Sequence, residues 1–298
     1  LNTAVNFAAK LVPIQSPEKG ILQKAISGAL VRTEKKITAL ESDLKTAENA
    51  EYQKIIADTL MSNIYLIKKG ETSCTLHNIY TNEMIEIALS PLLTPVENAQ
   101  VYYKRYNKYK RAIEEINKQK QETKDLLQYL QSLDTSLQTA TNKIEVAEIR
   151  QELISEGIIS ENKKGKGKAS LPKSAPLSIS LSHDTVIYVG KNNRQNDFVT
   201  FTIAKPRDLW FHTKGFPGSH VILKTALPKP TEAEIETAAN LAAYFSKARN
   251  SSNVPVDCAE KRFVKKPSGA KPGFVIYTNQ QTLYVTPDPS SIDNILNS

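Results

Sequence analysis

The sequence predicts an α+β protein: a long antiparallel helical coiled-coil arm with a small β insertion, followed by a mixed α/β domain. Three observations carry this. Apolar residues recur at three- and four-residue steps over two long stretches, Leu22 to Leu44 and Ala99 to Leu137, the pattern of a helix-pairing seam. A compact stretch of short strand-like runs, 72–89, separates them. Beyond residue 170 the pattern shifts to strand-length runs punctuated by Gly, Pro and Asn.

The elements follow in order. Ser16-Pro17-Glu18 opens the first helix with a capping side chain, a proline whose missing N–H is harmless at the first position, and an acid in the first turn. Its seam is Leu22, Ile26, Ala29, Thr33, Ile37, Leu40 and Leu44. A second helical piece, Glu51–Lys69, carries Ile55, Ile56, Leu60, Ile64 and Ile67 and stops at Gly70. Strands at Thr75–Ile79 and Met84–Leu89 flank the turn at residues 80–83. Thr94-Pro95-Val96-Glu97 is a capping box, and the helix behind it has its seam at Ala99, Tyr102, Tyr106, Tyr109, Ile113, Ile116, Thr123, Leu127, Leu130 and Leu137. At a rise of about 1.5 Å per residue, roughly forty residues reach about 60 Å, an arm. A short helix, Ile144–Glu156, leads into Asn162–Lys168, which has no apolar residue and no acid and reads as a flexible basic linker.

In the second domain strands are expected at 177–181, 185–190, 198–203, 208–213 and 219–224. A helix opens at the capping box Thr231-Glu232-Ala233-Glu234 and buries Ile235, Ala238, Ala239, Ala242 and Phe245. A hairpin of Phe274–Thr278 with Leu283–Thr286 closes the domain, and the tail after Pro289 reads as frayed. The expected division is a helical region 1–160 with its insertion at 51–93, a linker 161–172, an α/β domain 173–289 and a tail 290–298.

Composition narrows the function classes. The 298 residues hold 39 Lys and Arg against 31 Asp and Glu, a net charge of +8, which favours an acidic partner such as nucleic acid. Cys74 and Cys258 lie far apart with no CxxC spacing, which excludes a zinc ribbon, gives no disulfide framework and fits a reducing compartment. No run approaches the roughly eighteen apolar residues of a membrane span, so no membrane insertion is expected. The chain has no P-loop, GxSxG, HExxH or Gly-rich dinucleotide fingerprint, so neither an enzyme nor a cofactor is expected.

The densest signal is residues 186–224. Alternation puts Asp208, Trp210 and His212 on one side of a strand, and a Gly- and Pro-containing turn beginning at Lys214 leads on to Ser219 and His220. Trp210 has two readings, a stacking platform for an unstacked base or a core residue anchoring the hairpin, and core is the commoner fate of a lone tryptophan. His212 and His220 suit surface contact with RNA. Together with Asp208 they could be drawn as metal ligands, but no spacing is diagnostic and no glutamate sits nearby as a base, so no metal is expected. The polar run 191–197 combines the cations Lys191 and Arg194 with the amides Asn193 and Asn196, a mixture that either satisfies itself in a tight turn or contacts phosphates and base edges. Residues 257–271 read as a loop whose Arg262, Lys265, Lys266 and Lys271 suit phosphate contact. On the arm, Tyr102, Tyr106 and Tyr109 belong to the seam, leaving Lys104, Arg105, Lys108 and Arg111 on the outer faces.

GKNNRQND followed by DLWFHTKGFPGSHV resembles the C-terminal module of the NFACT family. The likeness continues through residues 239–249, Val256-Asp257 and 264–273, and upstream through Leu66–Gly70 and 93–100, which resemble the family's coiled-coil middle region. The family includes ribosome-quality-control proteins and bacterial fibronectin-binding-protein-A-like proteins. The resemblance implies a coiled-coil region plus an NFACT-R-like domain, with the family's N-terminal module expected ahead of Leu1. It implies binding to tRNA and to the large ribosomal subunit, with the arm cations meeting rRNA or a ribosomal protein, and a cytoplasmic location. The residue pair associated with C-terminal tailing belongs to the N-terminal module and has no counterpart here, so binding without tailing is expected. The alternative is a surface adhesin for host fibronectin or fibrinogen, although the chain shows neither a secretion signal nor a sorting motif.

Overall fold

Helix α1 (Pro17–Ala47) and helix α3 (Pro95–Thr139) form where the two seams predict them. The computed structural model describes residues 13–47, 49–160 and 174–297, so the expected linker lies outside the described residues. The chain divides into two compact units, one of residues up to Val31 and from Leu127 onward, the other Arg32–Leu126. Both long helices cross that division, so the units do not coincide with the expected boundary near residue 160.

In the Arg32–Leu126 unit, α2 (Ala50–Ser62) and the antiparallel hairpin β1 (Ser73–His77)–β2 (Met84–Ala88) pack on the first turns of α3. Ile56, Leu60, Ile67, Leu76, Ile87, Ala99 and Tyr102 form the core. The Tyr102 hydroxyl donates to Ala88 O at 2.6 Å, and Tyr103 and Tyr80 both donate to Asp58, at 2.5 and 2.6 Å. Thr94 and Glu97 make the expected reciprocal cap, Thr94 N to Glu97 Oε2 at 2.7 Å and Glu97 N to Thr94 Oγ1 at 3.3 Å. Lys120 pairs with Glu41 at 2.9 Å, as antiparallel neighbours do.

In the other unit the starts of α1 and the end of α3 pair in the same antiparallel sense, through Gln23 Nε2 to Asp134 Oδ1 at 2.5 Å and Lys19 Nζ to Gln138 O at 3.0 Å. Asn142 caps α4 (Lys143–Ser155) by accepting from Ile144 N and Glu145 N, each at 3.0 Å. Beyond lies a six-stranded antiparallel sheet of β3 (Leu177–Ser180), β4 (Thr185–Val189), β5 (Leu209–Thr213), β6 (Val221–Thr225), β7 (Val254–Glu260) and β10 (Gln281–Val285). Its order is β10-β7-β5-β6-β4-β3. One face buries Ile187, Val189, Phe211, Val221, Leu223 and Val256 against α6 (Glu232–Tyr244), which begins at the predicted Thr231/Glu234 capping box. The other face buries Trp210, Ile222, Val199 and Val264.

Four local expectations are corrected. Residues 198–203 are not a strand: α5 (Asn193–Phe198) runs into a π-helical turn, Val199–Ile203, closed by Ala204 N to Val199 O at 3.0 Å. The β-branched and aromatic residues that suggested a strand are retained helically because Asn192 caps the segment and the sheet buries Val199. Residues 254–260, of which 257 onward read as loop, form β7, an interior strand between β5 and the edge strand β10. The closing hairpin does not form, because β10 pairs with β7, while β9 (Ile276–Tyr277) pairs with β8 (Val264–Lys265). The tail folds as α7 (Pro289–Asn297), with Ile292 buried against the sheet core.

Candidate nucleic-acid interface

The expected site residues separate by burial. Asn193, Asn196, Asp208, Trp210, Ser219 and His220 are buried, so none offers a surface contact, which corrects their expected role. Trp210 lies wholly inside, its ring 4.8 Å from Tyr277, 5.2 Å from His220 and 5.8 Å from His212 between centroids. The core reading of Trp210 is the one observed. Asp208 is turned inward and accepts from Lys205 N at 2.7 Å. Asn196 Oδ1 accepts from His220 N at 2.9 Å and its Nδ2 donates to Gly218 O at 3.3 Å, joining the two best-marked sequence motifs. Ser219 N donates to Phe245 O at 3.0 Å, and Thr200 and His220 Nδ1 share a hydrogen bond of 2.8 Å.

Burial keeps both histidines neutral. His212, half-buried and opposite Asp257 in the β5–β7 ladder, is pushed down to about 4 by desolvation, against the raising influence of the Gly218 backbone and Asp257. Desolvation, with His212 adding to it, carries His220 well below its usual value. The buried Asp257 carboxylate accepts from Tyr277 at 2.8 Å and Thr282 at 2.6 Å.

The polar run 191–197 meets an acidic face that the sequence did not single out. Glu145, Glu148, Glu152 and Glu156 recur at helical spacing along and just past α4, so they line one side. Glu145 pairs with Lys191. Glu148 accepts from Ser174 N at 2.7 Å and Asn192 Nδ2 at 2.9 Å. Glu152 accepts from Asn193 Nδ2 at 2.9 Å and Tyr129 at 2.7 Å, and Glu156 pairs with Lys271, whose ammonium lies 5.0 Å from the Tyr129 ring centre. Desolvation holds the Glu152 carboxyl above its usual range, opposed by the Asn193 and Tyr129 hydrogen bonds. Lys191 and Lys271, expected to meet phosphate, are therefore already neutralised within the protein. The signal that could have found this face is the recurrence of acids at 145, 148, 152 and 156 in a helix otherwise apolar on its inner side.

Of the expected cations on this unit, Arg194, Lys214, Arg262, Lys265 and Lys266 face solvent. Lys266 pairs with Asp197, Arg262 with Glu260 at 2.9 Å, and Lys214 stands 4.0 Å from Asp257. Among the described residues neither Arg194 nor Lys265 has an ion-pair partner. On the other unit Lys104, Arg105, Lys108 and Arg111 are exposed as expected, with Arg105 5.1 Å from the Tyr102 ring centre.

Known proteins match nearly all of this chain. Residues 14–171 match the NFACT N-terminal and middle domains, and residues 178–279 the NFACT protein RNA binding domain. Rqc2 homolog RqcH of Bacillus subtilis is 38% identical over 275 residues, 91% of this chain and 48% of that protein. Rqc2 homolog RqcH of Streptococcus pneumoniae is 40% identical over 279 residues, 93% of this chain and 50% of that protein. The chain thus spans about half the length of these relatives. The solved C-terminal part of the fibronectin/fibrinogen-binding protein from Streptococcus suis is 35% identical with a TM-score of 0.72, covering 93% of this chain and 97% of that one.

Proposed function

The chain belongs to the NFACT family, and on that premise we propose that it is the RNA-binding portion of a ribosome quality-control factor. The observation that carries this is the match of residues 178–279 to an RNA binding domain, on a fold whose surface leaves Arg194, Lys214 and Lys265 facing solvent. The relatives' name supports the ribosomal setting. The chain acts by binding, with tRNA and the large ribosomal subunit as its partners. The sheet domain contacts tRNA, and the arm cations Lys104, Arg105, Lys108 and Arg111 contact the subunit.

The test is binding of this chain to tRNA over a salt series. Saturable binding that weakens steeply as salt rises is expected, because each neutralised phosphate releases counterions. Replacing Arg194, Lys214 and Lys265 together by alanine should weaken binding and flatten the salt dependence by about two units of slope. Immobilised fibronectin is run alongside, since the Streptococcus suis neighbour is named for binding it. No tRNA binding at low salt, with fibronectin captured, would sink the RNA reading in favour of an adhesin.

A further inference from the structure

We propose that one RNA meets the sheet domain at both ends of β5, the second contact being a row of cations across the ends of β6, β5 and β7 that takes backbone phosphates. This rests on the RNA-binding reading and extends it from the Lys214 end of the strand to the Leu209 end. The ladder register builds the row. Leu209 opens β5 opposite Leu223 on β6 and Glu260 on β7, so Lys224 and Lys261 lie on either side of Asp208 at one end of the sheet. Lys261 N donates to Asp208 O at 2.9 Å and Arg262 N to Pro206 O at 3.0 Å, which ties the 3-10 turn Lys261–Phe263 to the turn ahead of β5. Asp208 N to Lys205 O at 3.0 Å closes that turn, and Lys224 Nζ donates to Ile203 O at 3.5 Å where the chain enters it. Lys205, Arg207, Lys224, Lys261 and Arg262 are thereby held along three strand ends, a row about 10 Å wide at the usual strand spacing.

The row keeps its charge. Lys205, Arg207 and Arg262 are exposed, and Lys224 and Lys261 are half-buried. Glu260 pairs with Arg262 at 2.9 Å, the buried Asp208 carboxylate accepts from Lys205 N at 2.7 Å, and Asp184 stands a strand further out, its carbonyl accepting from Ala226 N. Among the described residues Lys205, Arg207, Lys224 and Lys261 have no ion-pair partner, unlike Lys191 and Lys271, which glutamates answer. Lys261 Nζ lies 5.4 Å from the Phe201 ring centre and the Arg262 guanidinium 4.9 Å from that of Phe263, contacts that restrain the two charged heads. At the other end of β5, Lys214 N donates to Pro255 O at 2.9 Å and its side chain faces solvent. The five residues of β5 put the two ends about 16 Å apart, within reach of one RNA. Cations of this kind fix the position of a backbone and carry no sequence information.

The experiment measures binding of the full chain to a fully paired RNA duplex over a salt series, with the stoichiometry of the complex. Lys205→Ala/Arg207→Ala, both exposed, should lower the salt slope by about 1.8, with one duplex still bound per chain and an unchanged melting temperature. Taking the same charge from α1, with Lys35→Ala/Lys36→Ala, should leave the slope as in the wild type. Combined with alanine at Arg194, Lys214 and Lys265, the Lys205/Arg207 pair should bring the total loss to about four units of slope. A slope that the Lys205/Arg207 variant does not change overturns the second contact and leaves the RNA reading standing. An equal drop from the Lys35/Lys36 variant also overturns it, because net charge alone would then account for the effect. Two duplexes bound per wild-type chain overturn the sharing of one RNA between the two ends. Absence of wild-type binding at low salt overturns the RNA reading itself.

Discussion

Gly190 shows how tightly the motif residues are fitted. A Cβ there would lie 2.4 Å from Asn196 Oδ1 and 2.7 Å from the Asn196 backbone nitrogen, closer than atoms pack. The obstructing group cannot swing away without losing its bond to His220 N. Gly190→Ala is therefore expected to destabilise the protein by about 1–3 kcal/mol, seen as a lower urea midpoint with an unchanged m-value. An unchanged midpoint would show that Asn196 has room to move. At this scale the sequence marked these residues out but did not show which way they face. Asn193, Asn196 and His220 have the same donors and acceptors whether they meet RNA or one another. Only their neighbours, Glu152, Gly218 and Thr200, settle it. Trp210 is the same case, equally able to stack or to fill a core until Tyr277 and the two histidines are placed around it.

Helix α4 is the element whose role changes most. Its acidic face grips Lys191, Asn192, Asn193 and Lys271, so it works as a ligand held within the chain. Glu152 gives this a pH signature. Burial raises its folded-state carboxyl above the ordinary glutamate value, so the folded form holds the proton more tightly than the unfolded chain. Stability from this group is full below about 4.5 and is lost as pH rises through the raised folded value. Glu152→Gln, whose Oε1 still accepts from Tyr129 and Asn193, should abolish that loss. Denaturant unfolding at several pH values is expected to show wild type falling relative to the variant as pH rises from about 4.5 to 7. Parallel curves would mean that Glu152 is unperturbed. Elements with local causes were legible in sequence: α3 and α6 start at their capping boxes, and the seams mark the long helices. Residues 198–203 were not, because their strand-forming side chains are overridden by the Asn192 cap and the sheet beneath. Strand β7 was hidden by Pro255, Asp257 and Glu260, poor strand formers held by β5 on one side and β10 on the other.

For the molecule as a whole, the unit that holds the sheet also holds α4 and the adjoining ends of α1 and α3. A boundary near residue 173 cuts through that unit and strips Lys191, Asn192, Asn193 and Lys271 of their carboxylate partners. A fragment beginning at Lys143 is accordingly expected to melt higher than one beginning at Ser174, and equal melting temperatures would show that α4 adds nothing to the sheet domain. What the sequence determined by itself was the class, the helical seams, the caps and the family, because each is written in neighbouring residues or in a fixed period. What only the tertiary structure decided was which polar groups remain for a partner. Lys191 and Glu145 are 46 residues apart, as Lys271 and Glu156 are 115 apart, and no local pattern couples charges so distant. Whether a cation is spent inside the protein or left to meet a phosphate depends on which side chain the fold brings against it.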